Sequence, residues 1–479
     1  MRILFVSSEV APFAKTGGLG DVSAALPRAL RANGHDVRLV LPFYQRVRAP
    51  DRVFERVVPE SEIVLGGRRL RFAIHTARLP DSDAPVYFVD CPPLYDRPGI
   101  YTQDPDEHLR FALLGWAALK LCQYGQWSPD VVHCNDWQTG LVPMTLKTVL
   151  GWDRLFARTR TVLTIHNIGH QGAFPASILP ETGLAETAHS FHQDQLRDGR
   201  INYLLTGILY ANAITTVSPT YAREIQTTEH GVGMDGFLRA RREVLFGILN
   251  GIDDAEWSPE RDQRIPFRYS RDELSNKERN KQALLERMRM PYVPGVPVMG
   301  IVSRRAWQKG FDLCAEVLPS LLARRDVQVV VLGSGEGRYE QLFARLAQRF
   351  PRKVGFHKGF SEPLAHLIEA GSDMFLMPSR YEPCGLNQMY SLRYGTVPIV
   401  HRTGGLADTV RTWDPRDGSG NGFSFDHFDA TGFAWAIGYA LETWQKRGEW
   451  RALQRNGMSE DFSWSRRVRA YEELYRLIA

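Results

Sequence analysis

Apolar residues along the first half of the chain fall into short runs, separated by stretches in which they recur every three or four positions. Arg2–Val6 (RILFV) is such a run and predicts a β-strand. A glycine-rich turn at 17–20 follows it, Val22–Ala32 has helical periodicity, and Gly34 closes that helix. Val37–Leu41 (VRLVL) predicts the next strand, and Val86–Val89, Val131–His133, Thr161–Ile165 and Ile214–Val217 continue the series. The pattern restarts after about residue 295. There Val298–Val302, Gln328–Leu332, Met374–Met377 and Val397–Val400 each read as a strand followed by a helical stretch. Strand and helix in alternation predict mostly parallel sheets with helices on both faces.

Two such halves predict an α/β protein of two doubly wound, Rossmann-like domains facing a central cleft. Ligands of open α/β sheets bind beyond the carboxyl ends of the strands, so the cleft is the expected site. The boundary is expected near Asn250–Asp253 (NGID), after the strand-like Phe246–Leu249. That gives an amino-terminal domain over 1–249 and a carboxyl-terminal domain over 250–464. Residues 254–295 read as polar and helix-rich, and 465–479 as a closing helix.

Composition narrows the class. The 479 residues are too many for one core. A hydrophobic share of 43% and a charged share of 24% are those of a soluble globular protein. The net charge of +5 comes from 59 basic and 54 acidic residues scattered along the chain, without the like-charge block of a nucleic-acid-binding tail. Five cysteines, widely spaced and without a CxxC pair, argue against a disulfide framework or a zinc site and for a reducing compartment. The amino terminus, MRILFVSSEV, is too short an apolar run for a signal peptide, and no stretch approaches the roughly 18–20 apolar residues that span a bilayer. A cytoplasmic protein with neither a membrane nor a nucleic-acid partner is expected.

The chemistry-bearing motifs sit where strands end. Lys15–Asp21 (KTGGLGD) follows the first strand and opens the first helix, where glycine lets the backbone approach a phosphate and free N–H groups attract it. It is neither GxGxxG nor a P-loop, and a tight βα turn explains it equally well. Asp136 in NDW and His166–Asn167 in TIHNIGHQG also close strands. They can hydrogen-bond sugar hydroxyls, or serve the fold alone, Asp136 as a helix cap. In SRRAWQKGFDL (303–313), Arg304 and Lys309 can meet one anion as a planar fork and a point charge, whereas Arg305 reads as surface charge. The turn at Gly333–Gly337 (GSGEG) is explained as well by loop geometry as by a nucleotide. SRYEPCGL (379–386) and TGGLADTV (403–410) each follow a strand and open a helix, with Glu382 as an acceptor for sugar hydroxyls.

Seven motifs, namely KTGGLGD, TIHN, TVSPTYAREI (216–225), GILNGID (247–253), QKGFDL (308–313), SRYEPCGL and TGGLADTV, stand in the order found in one family. Over nearly the whole chain the sequence resembles the bacterial glycogen synthases and plant starch synthases, retaining glucosyltransferases of the GT-B fold. The resemblance implies transfer of glucose from ADP-glucose to the non-reducing end of an α-1,4-glucan, with no cofactor and no metal. It implies that Lys15 and the backbone of Gly17 and Gly18 contact the donor, and that Asp136, His166 and Asn167 line the glucose site. Arg304 and Lys309 would hold the diphosphate, and His166, Arg304, Lys309 and Glu382 would be the catalytic set. Cys384, Gly385 and Leu386 would lie at the donor glucose and phosphate beside Thr403, Gly404 and Gly405. Phe360 falls where the family has a tyrosine stacked on adenine, and so keeps an aromatic face.

The chain departs from the family pattern at Asn135 (NDW for HDW), Arg305 (SRRA for SRLT), Leu205 (where lysine is common) and His170 (for tyrosine). Tyr390 stands where such transferases often carry a second glutamate. Two other readings make different demands. A glucan phosphorylase needs a lysine-bound pyridoxal phosphate and a longer chain, and a glucan-binding paralogue without turnover would not need Arg304, Lys309 and Glu382.

Overall fold

The structure, a computed structural model, describes residues 1–48 and 53–479. The chain divides into two compact units, one of Met1–Gly251 with Trp464–Ala479 and one of Ile252–Ser463. The division falls two residues beyond the expected 249/250. The terminal helix is not a separate element: Trp464–Ile478 belongs to the first unit.

The first unit is built on the strands β1 (Arg2–Val6), β2 (Asp36–Pro42), β3 (Glu55–Leu65), β4 (Arg68–Arg78), β5 (Pro85–Asp90), β6 (Val131–Asn135) and β7 (Arg160–Ile165). A small antiparallel pair, β8 (Ala173–Pro175) and β9 (Arg200–Asn202), stands apart, and β10 (Ala213–Thr216) and β11 (Leu245–Gly247) complete the main sheet. The sheet order is β11-β10-β7-β6-β1-β2-β5-β4-β3, parallel from β11 to β5 and antiparallel beyond. Ile3 to Val6 are fully buried because β1 lies at mid-sheet under helices on both faces. The terminal helix is fastened to the sheet through His133 of β6, whose Nδ1 lies 2.6 Å from the Tyr475 hydroxyl and Nε2 2.6 Å from Thr164 Oγ1. Burial pushes this imidazole down to about 3, so it is neutral at ordinary pH.

The second unit holds β12 (Val298–Val302), β13 (Gln328–Gly333), β14 (Val354–Lys358), β15 (Met374–Met377), β16 (Val397–His401) and β17 (Phe423–Phe425), all parallel, in the order β14-β13-β12-β15-β16-β17. Counted from its own first strand this is 3-2-1-4-5-6, the dinucleotide-fold order. The apolar runs split by parity between two cores. Met299, Ile301, Val329, Val331, Met374 and Leu376 face one helical layer, while Val298, Val330, Leu332, Phe375 and Met377 face the other.

All the strands expected from the sequence are present within a residue or two, and the first helix begins earlier, at Gly18. The antiparallel β3–β4 hairpin, β14, β17 and the β8–β9 pair are additional. The stretch 254–295, expected to be helix-rich, carries a single helix, Ser275–Arg287. No described helix is long and apolar enough to cross a membrane.

Candidate active site

In the first unit the strand order reverses at β1, with β2 and β5 on one side and β6 and β7 on the other, and the loops after β1, β6 and β7 converge there. Glu9 organises the loop after β1. Its buried carboxylate accepts from the backbone N–H of Thr16 at 2.6 Å and of Gly17 at 3.3 Å, from Thr16 Oγ1 at 2.7 Å and from the Tyr101 hydroxyl at 2.6 Å. This fixes the turn that leads into the helix starting at Gly18, and Lys15 pairs with Asp21 on the first turn of that helix at 2.6 Å.

Asp136 follows β6 with φ 56° and ψ −171°, a backbone region that side-chain-bearing residues seldom occupy. Its carboxylate does not cap the short helix after it. It reaches across to the loop after β7 and accepts from the backbone N–H of His166 at 2.7 Å and Asn167 at 3.4 Å. Burial pushes this carboxyl up to about 7, the two N–H groups pulling the other way and the charge of Glu9 adding to the rise. His166 is held by a chain of donors. Asn135 Nδ2 donates to the Val6 carbonyl at 2.9 Å, so Asn135 Oδ1 faces the ring and accepts from His166 Nε2 at 2.9 Å. The imidazole, pushed by burial down to about 3, is therefore neutral and presents Nδ1 as an acceptor. Lys15, Gly17, Gly18, Asp136, His166 and Asn167 thus stand on adjoining strand ends, with Glu9 and Asn135 holding them. Sequence reasoning passed over Glu9, and met Asn135 only as a departure. The one available signal for Glu9 was a carboxylate three residues beyond the apolar first strand.

In the second unit the order reverses between β12 and β15. The loop after β12 carries Arg304 and Lys309, and the loop after β15 carries Glu382. Lys309 Nζ lies 2.6 Å from Glu382 Oε2, which also accepts from Ser379 Oγ at 3.0 Å. Glu382 is buried and Lys309 is about one-fifth exposed (19%), so the lysine is a partner in an enclosed ion pair rather than a free loop charge. The exposed Arg304 lies close enough to Tyr381 for its charge to oppose the rise that burial causes at that phenol.

Thr403, Gly404 and Gly405 close the same corner. The Gly405 N–H donates to the carbonyls of Glu382 and Pro383 at 3.1 and 3.2 Å. A Cβ on Gly404 (φ 44°) would overlap the Glu382 carbonyl oxygen, and one on Gly405 the Cys384 carbonyl oxygen. These glycines are required by backbone meeting backbone. Gly385 has φ 71° and Leu386 precedes the helix Asn387–Arg393, whose Asn387 Nδ2 donates to the Val302 carbonyl at 2.6 Å. Phe360, just beyond β14, is 83% exposed and offers an open ring face.

One expectation is corrected. Arg305 is not surface charge: it is 1% exposed, paired with Glu340 at 3.2 Å and set over the Phe356 ring at 4.8 Å. The Gly333–Gly337 turn packs against that same segment: a Cβ on Gly335 would overlap the Arg305 carbonyl oxygen. Two of the departures also find their places. Leu205 is buried in the helix Tyr203–Tyr210, and Tyr390 stacks on Trp257 with ring centroids 3.8 Å apart.

Residues 2–240 match the family model of the starch synthase catalytic domain, and residues 291–456 that of glycosyl transferases group 1. A glycogen synthase of Anaeromyxobacter dehalogenans is 46% identical, the match covering 100% of this chain and 99% of that protein. One of Myxococcus xanthus is 45% identical over 99% of each. The chain belongs to the glycogen synthase family.

Among solved structures, the catalytic domain of starch synthase IV from Arabidopsis thaliana, bound to ADP and acarbose, superposes with a TM-score of 0.91 at 34% identity, covering 100% of this chain and 99% of that one. The fold is accordingly of GT-B type. Sucrose-phosphate synthase from Thermosynechococcus elongatus, with a TM-score of 0.60 at 17% identity, shares the fold alone. Where this glycogen synthase family member departs from the usual HDW, Asn135 does the orienting with its amide. At the SRRA position the added arginine is neutralised by Glu340.

Proposed function

We infer that the protein is a glycogen synthase that moves glucose from ADP-glucose to the non-reducing end of an α-1,4-glucan with retention of configuration. The observation that carries this is the meeting of Lys309 and Glu382 at the β12/β15 switch point, against the Gly404–Gly405 turn, in a chain matched end to end by glycogen synthases. When the bond from the glucose anomeric carbon to the diphosphate breaks, negative charge gathers on the leaving phosphate. Preorganised donors aimed at that charge lower the barrier most. Lys309 and Arg304 supply it, with no metal called on. Glu382, held by Lys309 and Ser379, accepts from glucose hydroxyls.

The neutral His166 and the strained Asp136 line the glucose, with Asn167 beside them. Lys15 and the Gly17–Gly18 backbone contact the donor. Cys384, Gly385, Leu386 and Thr403 border glucose and phosphate, and Phe360 stacks on adenine. The acceptor hydroxyl attacks from the face that the diphosphate leaves, and the leaving phosphate takes its proton. The test supplies glycogen with ADP-glucose or UDP-glucose and measures nucleoside diphosphate release. ADP-glucose is expected to have the higher kcat/KM. Equal or reversed values refute the donor assignment, and no release from either refutes the reading as a whole.

A further inference from the structure

The helix Glu362–Gly371 carries Glu362 and His366 four residues apart, hence on one face, and the chain segment after residue 252 lays Glu256 against them. One ligand atom from each of Glu256, Glu362 and His366 falls within 4.8 Å of the other two. His366 itself is fully buried, its ring stacked on Trp257 with centroids 3.7 Å apart. Its Nδ1 stands 2.8 Å from Asp262 Oδ2, which also accepts from the Tyr394 hydroxyl at 2.7 Å. A carboxylate can only accept, so Nδ1 carries a proton there and Nε2 is the ring nitrogen that remains to serve as a ligand. That Nε2 is buried and has no hydrogen-bond partner among the described residues. A buried ring nitrogen that meets no partner is costly.

We propose that Glu256, Glu362 and His366 bind a divalent transition-metal cation of the zinc type. Two carboxylates and an imidazole suit such an ion, and Asp262 on Nδ1 is the outer partner that metal-bound histidines usually have. Arg264 Nη2 lies 3.1 Å from Glu256 Oε1 and 3.5 Å from Glu362 Oε1, engaging one oxygen of each carboxylate and orienting the other. With Asp262 included, the carboxylates still exceed Arg264 by two negative charges, the deficit that a divalent ion fills. Tetrahedral ligands at zinc stand roughly 3.3 Å apart. Glu362 is half exposed on the first helical turn and has the rotamer freedom to close the distance. The ion would fasten the 253–264 segment to the 362–371 helix, so its role is structural and separate from glucosyl transfer.

The experiment strips the full-length protein with a chelator, then titrates Zn²⁺ against a chromogenic competitor. Wild type should take up one equivalent and gain Tm. Glu256→Gln and Glu362→Gln, both changes at partly exposed side chains, should each weaken uptake at least tenfold and abolish the Tm gain. Cu²⁺ in the same site should give an electron paramagnetic resonance spectrum with nitrogen coupling from His366. No saturable equivalent, unchanged affinity in both variants, or a Cu²⁺ spectrum without nitrogen coupling would each overturn the proposal. Metal uptake is the readout, so the outcome is independent of whether the transfer reaction is as assigned.

Discussion

Lys309 Nζ stands 2.6 Å from Glu382 Oε2, joining the loop after β12 to the loop after β15. The pair gives Lys309 two separable tasks: neutralising a buried carboxylate in the resting protein and meeting the leaving phosphate in the reaction. Lys309→Gln should lower kcat by about 10²–10³ with a smaller change in KM, the usual cost of removing one preorganised donor. It should also lower stability by about 1–3 kcal/mol, because among the described residues Glu382 keeps only Ser379 as a side-chain partner while Lys309 is itself partly solvated. Adding Glu382→Gln should restore Tm and leave kcat low, and a thermodynamic cycle over the two sites measures the coupling. A folded Lys309→Gln protein with near-native kcat would refute the assignment.

Arg304 is exposed and its removal should cost little stability. Arg304→Ala should nonetheless reduce kcat by the same order as Lys309→Gln. The double variant should lose less than the product of the single losses, since both charges act on one leaving group. Steady-state kinetics on the three variants decide it, and full multiplicativity would mean that the two cations serve different atoms.

The tautomer and orientation of His166 depend on Asn135, whose amide is oriented by the Val6 carbonyl. Asn135→Ala leaves the ring free to turn and to exchange tautomers. A fall in kcat of about tenfold is expected, with a lowered Tm because the Val6 carbonyl and the His166 Nε2–H lose their buried partner, and with recovery in Asn135→His, which restores the HDW of the family pattern. Asn135→Ala with unchanged kcat would show that the ring is held by something else.

What could be read in advance follows from where each residue finds its partners. VMGIV and QVVVL are legible because parallel strands buried on both faces are apolar at every position. The β3–β4 hairpin is not, because its edge carries Glu55, Glu60, Glu62, Arg68, Arg69 and Arg71, the charges that guard an open sheet edge but hide the strand. At the site, the glycines and strand-end polar residues are legible through local turn chemistry. Arg305 looks like surface charge beside Arg304 because its partner, Glu340, lies in another helix. The roles of Asn135 and Glu9 are hidden for the same reason: each acts through hydrogen bonds that exist only once the sheet has formed.

Arg304 and Lys309 supply positive charge where the phosphates are assigned. Chelation should therefore leave the initial rate of glucosyl transfer nearly unchanged at moderate temperature. A rate measured with and without EDTA, then with Mg²⁺ restored, checks this. A large, Mg²⁺-reversible loss would mean that the phosphates are neutralised differently.

Asp136 offers a test through pH. Its carboxyl is pushed up to about 7 in the folded protein, whereas an unfolded aspartate titrates near about 4. Below about 4 both states hold the proton and the residue adds no pH dependence. Between about 4 and 7 the unfolded chain has released a proton that the folded chain retains, so wild-type stability falls as pH rises. Above about 7 both states are ionised and the loss is complete, on the order of 4 kcal/mol at 1.36 kcal/mol per unit. Asp136→Asn keeps an oxygen to accept from the N–H groups of His166 and Asn167 but has no charge to bury. Its Tm relative to wild type should therefore climb by several degrees from pH 4 to 7 and level off above. Calorimetric scans of both proteins across that range are the measurement, the difference between them cancelling every other titrating group. A difference that stays flat would mean that the folded carboxyl ionises as easily as an unfolded one, with enough help from the two N–H donors to offset its burial.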